Sequence, residues 1–228
     1  MQTQKNQIQD LPEEPTVQSI PCLPIGLDVR INSILPGNGS KLRATASVGM
    51  NGCFAVRGVK LYEGPKGLFV NMPSYKAANN QYKEYCHPVT KEFREQLEQA
   101  VINAYKQAAL QGQAPANQPP EPLPMKVDVR INTLTLNSGN QRASATANLN
   151  DSFALKGIKV MEGVNGLFVH TPSYKSGEEY KEHYFPTTKE FNEQFHNAVL
   201  TAYDEAIVQS QEAAGQDYPE QSGIAQSM

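Results

Sequence analysis

Two short stretches of the chain interleave aromatic and cationic side chains: Tyr75-Lys76 with Tyr82-Lys83, and again Tyr174-Lys175 with Tyr180-Lys181. An ammonium group can neutralise a phosphate while a neighbouring ring stacks on an unpaired base, a contact of roughly 1–3 kcal/mol per base. Arg57 and Lys60, which precede the first pair on a strand-like stretch, would widen the same cationic patch. The competing reading is structural: the rings cap a sheet or cross an interface, and the lysines are ordinary solvated surface groups.

Other residue types give little chemistry. Cys86 and His87 adjoin in sequence, which does not make a nucleophile and base pair, and the corresponding residues of the second stretch are Tyr184 and Phe185. His170, His183 and His196 align with Asn71, Glu84 and Glu98, and no histidine pair has chelating spacing. No enzyme activity, metal, cofactor or small-molecule substrate is therefore expected. Glu63 and Glu162 sit in Gly-flanked turns, and Gly64 to Gly67 joins strand to strand, so it is no phosphate-binding loop. Cys22, Cys53 and Cys86 form no Cys-x-x-Cys pair and read as reduced thiols.

The elements that must position these groups come in duplicate. Asp28-Val29-Arg30-Ile31-Asn32 returns as Asp128-Val129-Arg130-Ile131-Asn132, and Gly67-Leu68-Phe69-Val70 returns as Gly166-Leu167-Phe168-Val169. Pro73-Ser74-Tyr75-Lys76 and Thr90-Lys91-Glu92-Phe93 recur as Pro172-Ser173-Tyr174-Lys175 and Thr188-Lys189-Glu190-Phe191. The offset drifts from 100 to 98 residues only in turns and loops, so the copies share one backbone. This divides the chain into a tail (1–26), a first domain (27–110), a linker (111–124), a second domain (125–208) and a second tail (209–228). The tails are polar and read as disordered, and the Pro-rich linker reads as extended, long enough at roughly 40 Å to let the domains dock.

Within each copy, Leu27, Val29 and Ile31 alternate with polar residues, as a half-buried strand requires. Turn signals at Pro36 to Gly39, Gly49 to Gly52 and Glu63 to Gly67 separate three further strands, with a phase change at Gly58 that predicts a bulge. A polar loop follows. Thr90 then offers an N-cap to a helix whose inner face carries Phe93, Leu97, Ala100, Val101, Ala104, Tyr105 and Ala108. The fold class is α+β: two tandem four-stranded antiparallel sheets, each with a C-terminal helix. A copy of about 84 residues buries too little surface to be stable alone, which predicts that the two pack as an intramolecular pseudo-dimer.

Composition sets the outer bounds. With 39% apolar and 19% charged residues and no apolar run of membrane-spanning length, a cytoplasmic chain is expected, with no membrane partner. The formal net charge of −3 hides an asymmetry. Residues 27–110 hold 11 Lys and Arg against 6 Asp and Glu, whereas residues 125–208 hold 8 against 10. A phosphate-binding footprint therefore belongs on the first copy.

Gly58 to Ser74, with Asp28-Val29-Arg30 and Arg43-Ala44-Thr45-Ala46 before it and His87-Pro88-Val89 after it, resembles the stage V sporulation protein G (SpoVG) septation-regulator family. The resemblance covers both repeats. It implies a bacterial regulator of septation or sporulation, dimeric in architecture and binding DNA or RNA, here with two units fused. The nucleic-acid site it suggests comprises Arg57, Lys60, Tyr75, Lys76, Tyr82, Lys83, Lys175 and Lys181. The alternative reading is a protein-interaction module that makes no nucleic-acid contact.

Overall fold

The computed structural model describes residues 24–111, 121–135 and 139–215. Residues 1–23 with Cys22, 112–120 of the linker and 216–228 lie outside the described residues, and so does the expectation about their order; residues 209–215, expected to be disordered, instead continue the second helix.

In the first repeat, β1 (Leu27–Ile34), β2 (Leu42–Met50), β3 (Phe54–Gly64) and β4 (Gly67–Asn71) pair antiparallel in that sequence. The second repeat matches it with β8 (Val127–Leu134), β9 (Gln141–Leu149), β10 (Phe153–Gly163) and β11 (Gly166–His170). Period-2 patterning decides which face is buried. Ala44, Ala46, Val48 and Met50 of β2 and Phe54, Val56, Val59 and Leu61 of β3 all turn inward. The helices α1 (Lys91–Gln111) and α2 (Lys189–Gly215) cover those faces with Phe93, Leu97 and Val101, and with Phe191, Phe195 and Val199. Each begins at its expected cap: Thr90 Oγ1 accepts from Phe93 N and Thr188 Oγ1 from Phe191 N, both at 3.2 Å.

The segment expected to be a polar loop is ordered. It forms a small hairpin, β5 (Ser74–Lys76) with β6 (Tyr82–Glu84), followed by the short strand β7 (Cys86–Pro88). The second repeat has β12 (Ser173–Ser176), β13 (Glu179–Glu182) and β14 (Tyr184–Pro186) at the same places. Strands of three or four residues are too short to display an alternating pattern, so the sequence reads as loop there.

β7 and β14 are exchanged between the copies. Cys86, His87 and Pro88 pair with Leu155, Ala154 and Phe153 of β10, while Tyr184, Phe185 and Pro186 pair with Val56, Ala55 and Phe54 of β3. Each four-stranded sheet thus acquires a fifth strand from the other repeat. The predicted bulge makes this possible. Gly58 and Gly157 adopt φ of +77°, a region open mainly to glycine, and each bends its strand so that one edge serves two partners. Before Gly58 that edge of β3 holds β14, and after it the edge holds β4. The bonds Arg57 N to His183 O and Lys156 N to Tyr85 O, both 2.7 Å, close the junctions.

The exchange also merges the cores. Tyr184 is fully buried, its ring 6.1 Å from Phe54 and its hydroxyl donating to Lys156 O at 2.7 Å. Phe54 meets Phe191 edge-on at 6.0 Å, and Phe93 meets Phe153 in the same way at 6.0 Å. One hydrophobic cluster therefore runs through both repeats, as the size argument requires. Ile25 and Met125, just ahead of the first strand of each copy, belong to it. The described end of the linker is tied to the first repeat, since Leu123 N donates to Asn51 O at 2.9 Å.

Candidate nucleic-acid interface

The two Tyr/Lys hairpins flank the junction between the copies, and a column of rings connects them. Tyr85 stacks on His183 at 4.4 Å, with Tyr75 tilted against Tyr85 and Tyr174 tilted against His183, each at 4.8 Å. The order is symmetric about the contact between Tyr85 and His183, which occupy the same place in the two copies. Pairing of β7 and β14 makes Tyr85, not Glu84, the counterpart of His183, a correction to the alignment expected from sequence. The missing residue in copy two falls in the hairpin turn between Lys175 and Tyr180, ahead of the second arm.

Strand register then separates the tyrosines into two kinds. Tyr75 pairs with Lys83 and Lys76 with Tyr82, so members of each pair share a face of the hairpin. Tyr75 is held in the ring column, whereas Tyr82 is 75% exposed. In copy two Tyr174 is in the ring column and Tyr180 is 73% exposed. Lys76, Lys83 and Lys175 are exposed and Lys181 half-buried.

Arg57 faces the other repeat, while Lys60 pairs with Asn71 of β4. The exchange brings copy two's chain against β3: the Arg57 guanidinium lies 3.8 Å above the Phe185 ring, and its backbone bonds to His183. The residues that converge with Tyr75 are instead Lys156 and Lys159 of β10, which line one cavity of about 420 Å³ together with Tyr75 and Tyr85. They occupy the repeat positions of Arg57 and Lys60, so aligning the copies could have suggested them once the exchange was known. A groove of about 790 Å³ adjoins it, between the first hairpin (Tyr75, Tyr82, Lys83) and the open face of the second sheet (Asn132, Thr146, Lys156).

Charge distinguishes the two hairpins. Residues 74–84 carry Lys76 and Lys83 against Glu84, while residues 173–182 carry Lys175 and Lys181 against Glu178, Glu179 and Glu182. The first hairpin, facing Lys156 and Lys159, is the cationic one. A base laid on the exposed Tyr82 ring would have its phosphates within this cationic field.

The remaining candidates have structural partners. Arg43 Nε donates to Glu63 Oε2 and Arg142 Nε to Glu162 Oε2, both at 2.6 Å, so each turn glutamate is tied to the neighbouring strand. Cys86 is fully buried on β7, and burial, with a smaller contribution from Glu84, pushes its thiol far above the ordinary range. Burial pushes the Cys53 thiol up to about 11. Neither forms the thiolate that nucleophilic attack requires at neutral pH. Among the described residues no group of three or more His, Cys, Asp or Glu could hold a metal ion, and no helix is long and apolar enough to cross a membrane.

The SpoVG family model matches residues 26–107 and again residues 125–205. Among similar proteins, one from Treponema denticola named as a septation protein SpoVG is 37% identical over 83 residues, covering 36% of this chain and 87% of the relative. Relatives of the same name from Heliobacterium modesticaldum (43% over 82 residues) and Caldicellulosiruptor saccharolyticus (39% over 79 residues) are covered to 89% and 88% of their length, and each match spans 36% and 35% of this chain. Each relative corresponds to a single repeat, and the twofold match along one chain agrees with the duplicated fold and its reciprocal strand exchange: the chain belongs to the SpoVG family, with two family units fused in tandem.

Proposed function

We propose that the chain binds single-stranded nucleic acid along the groove between the β5–β6 hairpin and the open face of the second sheet, as part of a cytoplasmic regulator of the septation type. The observation that supports this most is the convergence of Lys156 and Lys159 of one repeat with Tyr75 of the other, beside an exposed Tyr82 and Lys83. Lysines neutralise phosphates and release counterions, and the phenol supplies a stacking platform that does not depend on base identity. The septation role rests on the name of the relatives, and the nucleic-acid role on this arrangement of charge and rings.

A salt-titrated anisotropy measurement with labelled single-stranded and duplex DNA and RNA tests the proposal. Single strands should bind more tightly than duplex, with affinity falling linearly in log salt. No salt-dependent binding of any of the four would overturn it. A second reading, a protein-interaction module, draws on the β10–β11 hairpin, where Val164 is fully exposed beside part-exposed Leu167 and Phe168. Substitution of Val164 and Phe168 by Ser should leave strand binding intact if the groove is the site.

A further inference from the structure

The open faces of the two sheets have diverged at one row of residues. In the second sheet the row runs His87 (β7), Ala154 (β10), Asn148 (β9), Asp128 (β8), each paired with the next and so sharing one face. In the first sheet the same row is Phe185, Ala55, Gly49, Asp28. An imidazole and a carboxamide thus stand where the other copy has a phenyl ring and a hydrogen, on the same backbone.

One atom of each added polar group is left without a partner in the fold. His87 Nδ1 and Asn148 Oδ1 are buried atoms with no hydrogen-bond partner among the described residues. Buried polar atoms in native folds are almost always paired, so two unpaired ones flanking one small alanine call for a ligand that satisfies both. They line a cavity of about 410 Å³ with Arg130, Thr146 and Lys156. Thr146 and Lys156 also line the larger groove under the first hairpin, so the cavity opens onto the proposed nucleic-acid path.

The donor and acceptor pattern selects the ligand. A carboxamide oxygen accepts, and a neutral imidazole protonated at Nε2 accepts at Nδ1. Burial first, then the charge of Lys156, lowers the His87 pKa, while Glu84 opposes and Arg94 adds to the effect, so the ring is neutral at pH 7. Two acceptors call for two neighbouring donors. Among the four bases only guanine presents donors on two adjacent atoms of its pairing edge, N1–H and the N2 amine.

We propose that this cavity is a base-reading pocket for one unpaired guanine of a bound strand, with Asn148 and His87 accepting from its pairing edge and Lys156 holding the adjoining phosphate. The inference rests on the groove reading given under Proposed function and adds sequence preference to it. The first sheet, with Phe185 and Gly49 at these positions, has no such floor, so each chain reads one base.

The experiment measures the intact protein against four labelled RNA 12-mers, oligouridine with a central G, A, C or U, at fixed salt. The G oligomer should bind about tenfold more tightly than the other three. Asn148→Gly and His87→Phe, each carrying the residue of the other copy, should bring the G oligomer down to the level of the U oligomer. Equal affinity for all four in the unaltered protein would overturn the pocket and leave the groove standing, and a G preference that survives both substitutions would overturn the assignment to this cavity. Absence of binding to every oligomer would overturn the groove reading and the pocket with it. A readout that needs no variant is the His87 ring resonance, which should shift with guanosine monophosphate and not with adenosine monophosphate.

Discussion

Tyr85 of the first repeat and His183 of the second, the same position in two copies of one unit, stack face to face with centroids 4.4 Å apart. An identical pair would be expected in a symmetric dimer. Here His183 can take up a proton in the acid range while burial pushes the Tyr85 phenol further up, and the His183 Nδ1 is buried without a partner among the described residues, beside the Gly58 bulge.

That difference gives a pH prediction. Burial lowers the His183 pKa below its ordinary 6.5, so the unfolded chain takes up this proton more readily than the folded one. The contribution to stability is complete above about pH 6.5 and is lost as pH falls below it toward the folded value. His183→Tyr, which copies Tyr85, should show a smaller fall in melting temperature between pH 7 and pH 5 than the unaltered protein. An equal fall in both would remove His183 from the acid response.

Strand exchange predicts that the copies unfold together. Tyr184→Ala removes a fully buried ring from the junction and should cost about 3–5 kcal/mol in denaturant titration, with a single transition retained. Because Tyr184 packs on Phe54, the cost of the double variant with Phe54→Ala should fall short of the sum of the singles. Two separate transitions in the unaltered protein would contradict the merged core.

The two kinds of tyrosine should respond differently to truncation. Tyr82→Ala, on an exposed ring, should reduce single-strand affinity by roughly 1–3 kcal/mol and leave the melting temperature unchanged. Tyr75→Ala breaks the ring column and should lower the melting temperature. Calorimetry and anisotropy on the same two proteins check both statements.

For charge, Lys83→Glu with Lys156→Glu should weaken binding more than Lys175→Glu with Lys181→Glu and flatten the salt dependence. Equal losses would show that the excess of acid on the second hairpin has no effect on strand binding.

The bulge glycines make a stability prediction that is independent of any ligand. A Cβ at Gly157 would stand 3.0 Å from Pro172 Cγ, whereas at Gly58 the nearest atom, Pro73 Cβ, is 3.8 Å away. Both alanine substitutions carry the strain of positive φ, about 1–3 kcal/mol, and Gly157→Ala should be the more damaging. Melting temperatures in the reverse order would overturn the steric argument.

Much of this fold was legible because its signals are local. Alternation in Leu27 to Ile31, the Thr90 and Thr188 caps and the phase change at Gly58 each arise within a few residues and recur in the second copy. The exchange of β7 and β14 was not legible, since three residues carry no period and nothing in Cys86-His87-Pro88 states which copy's edge it will join. The site inherited that gap. Tyr75, Lys76, Tyr82 and Lys83 were visible as a cluster, but the cations facing them, Lys156 and Lys159, come from the other repeat, and Arg57 proved to be engaged with Phe185.

Joining the repeats by a linker changes what the exchanged strands can become. In a dimer of identical chains every substitution appears twice, and β7 must fit the copy of the β3 edge that its own gene encodes. In this chain the two seams are separate loci: Cys86 meets Leu155 while Tyr184 meets Val56, and His87 meets Ala154 while Phe185 meets Ala55. Each lock can therefore drift with its own key, and the effective concentration set by the tether keeps the halves together while one of them specialises.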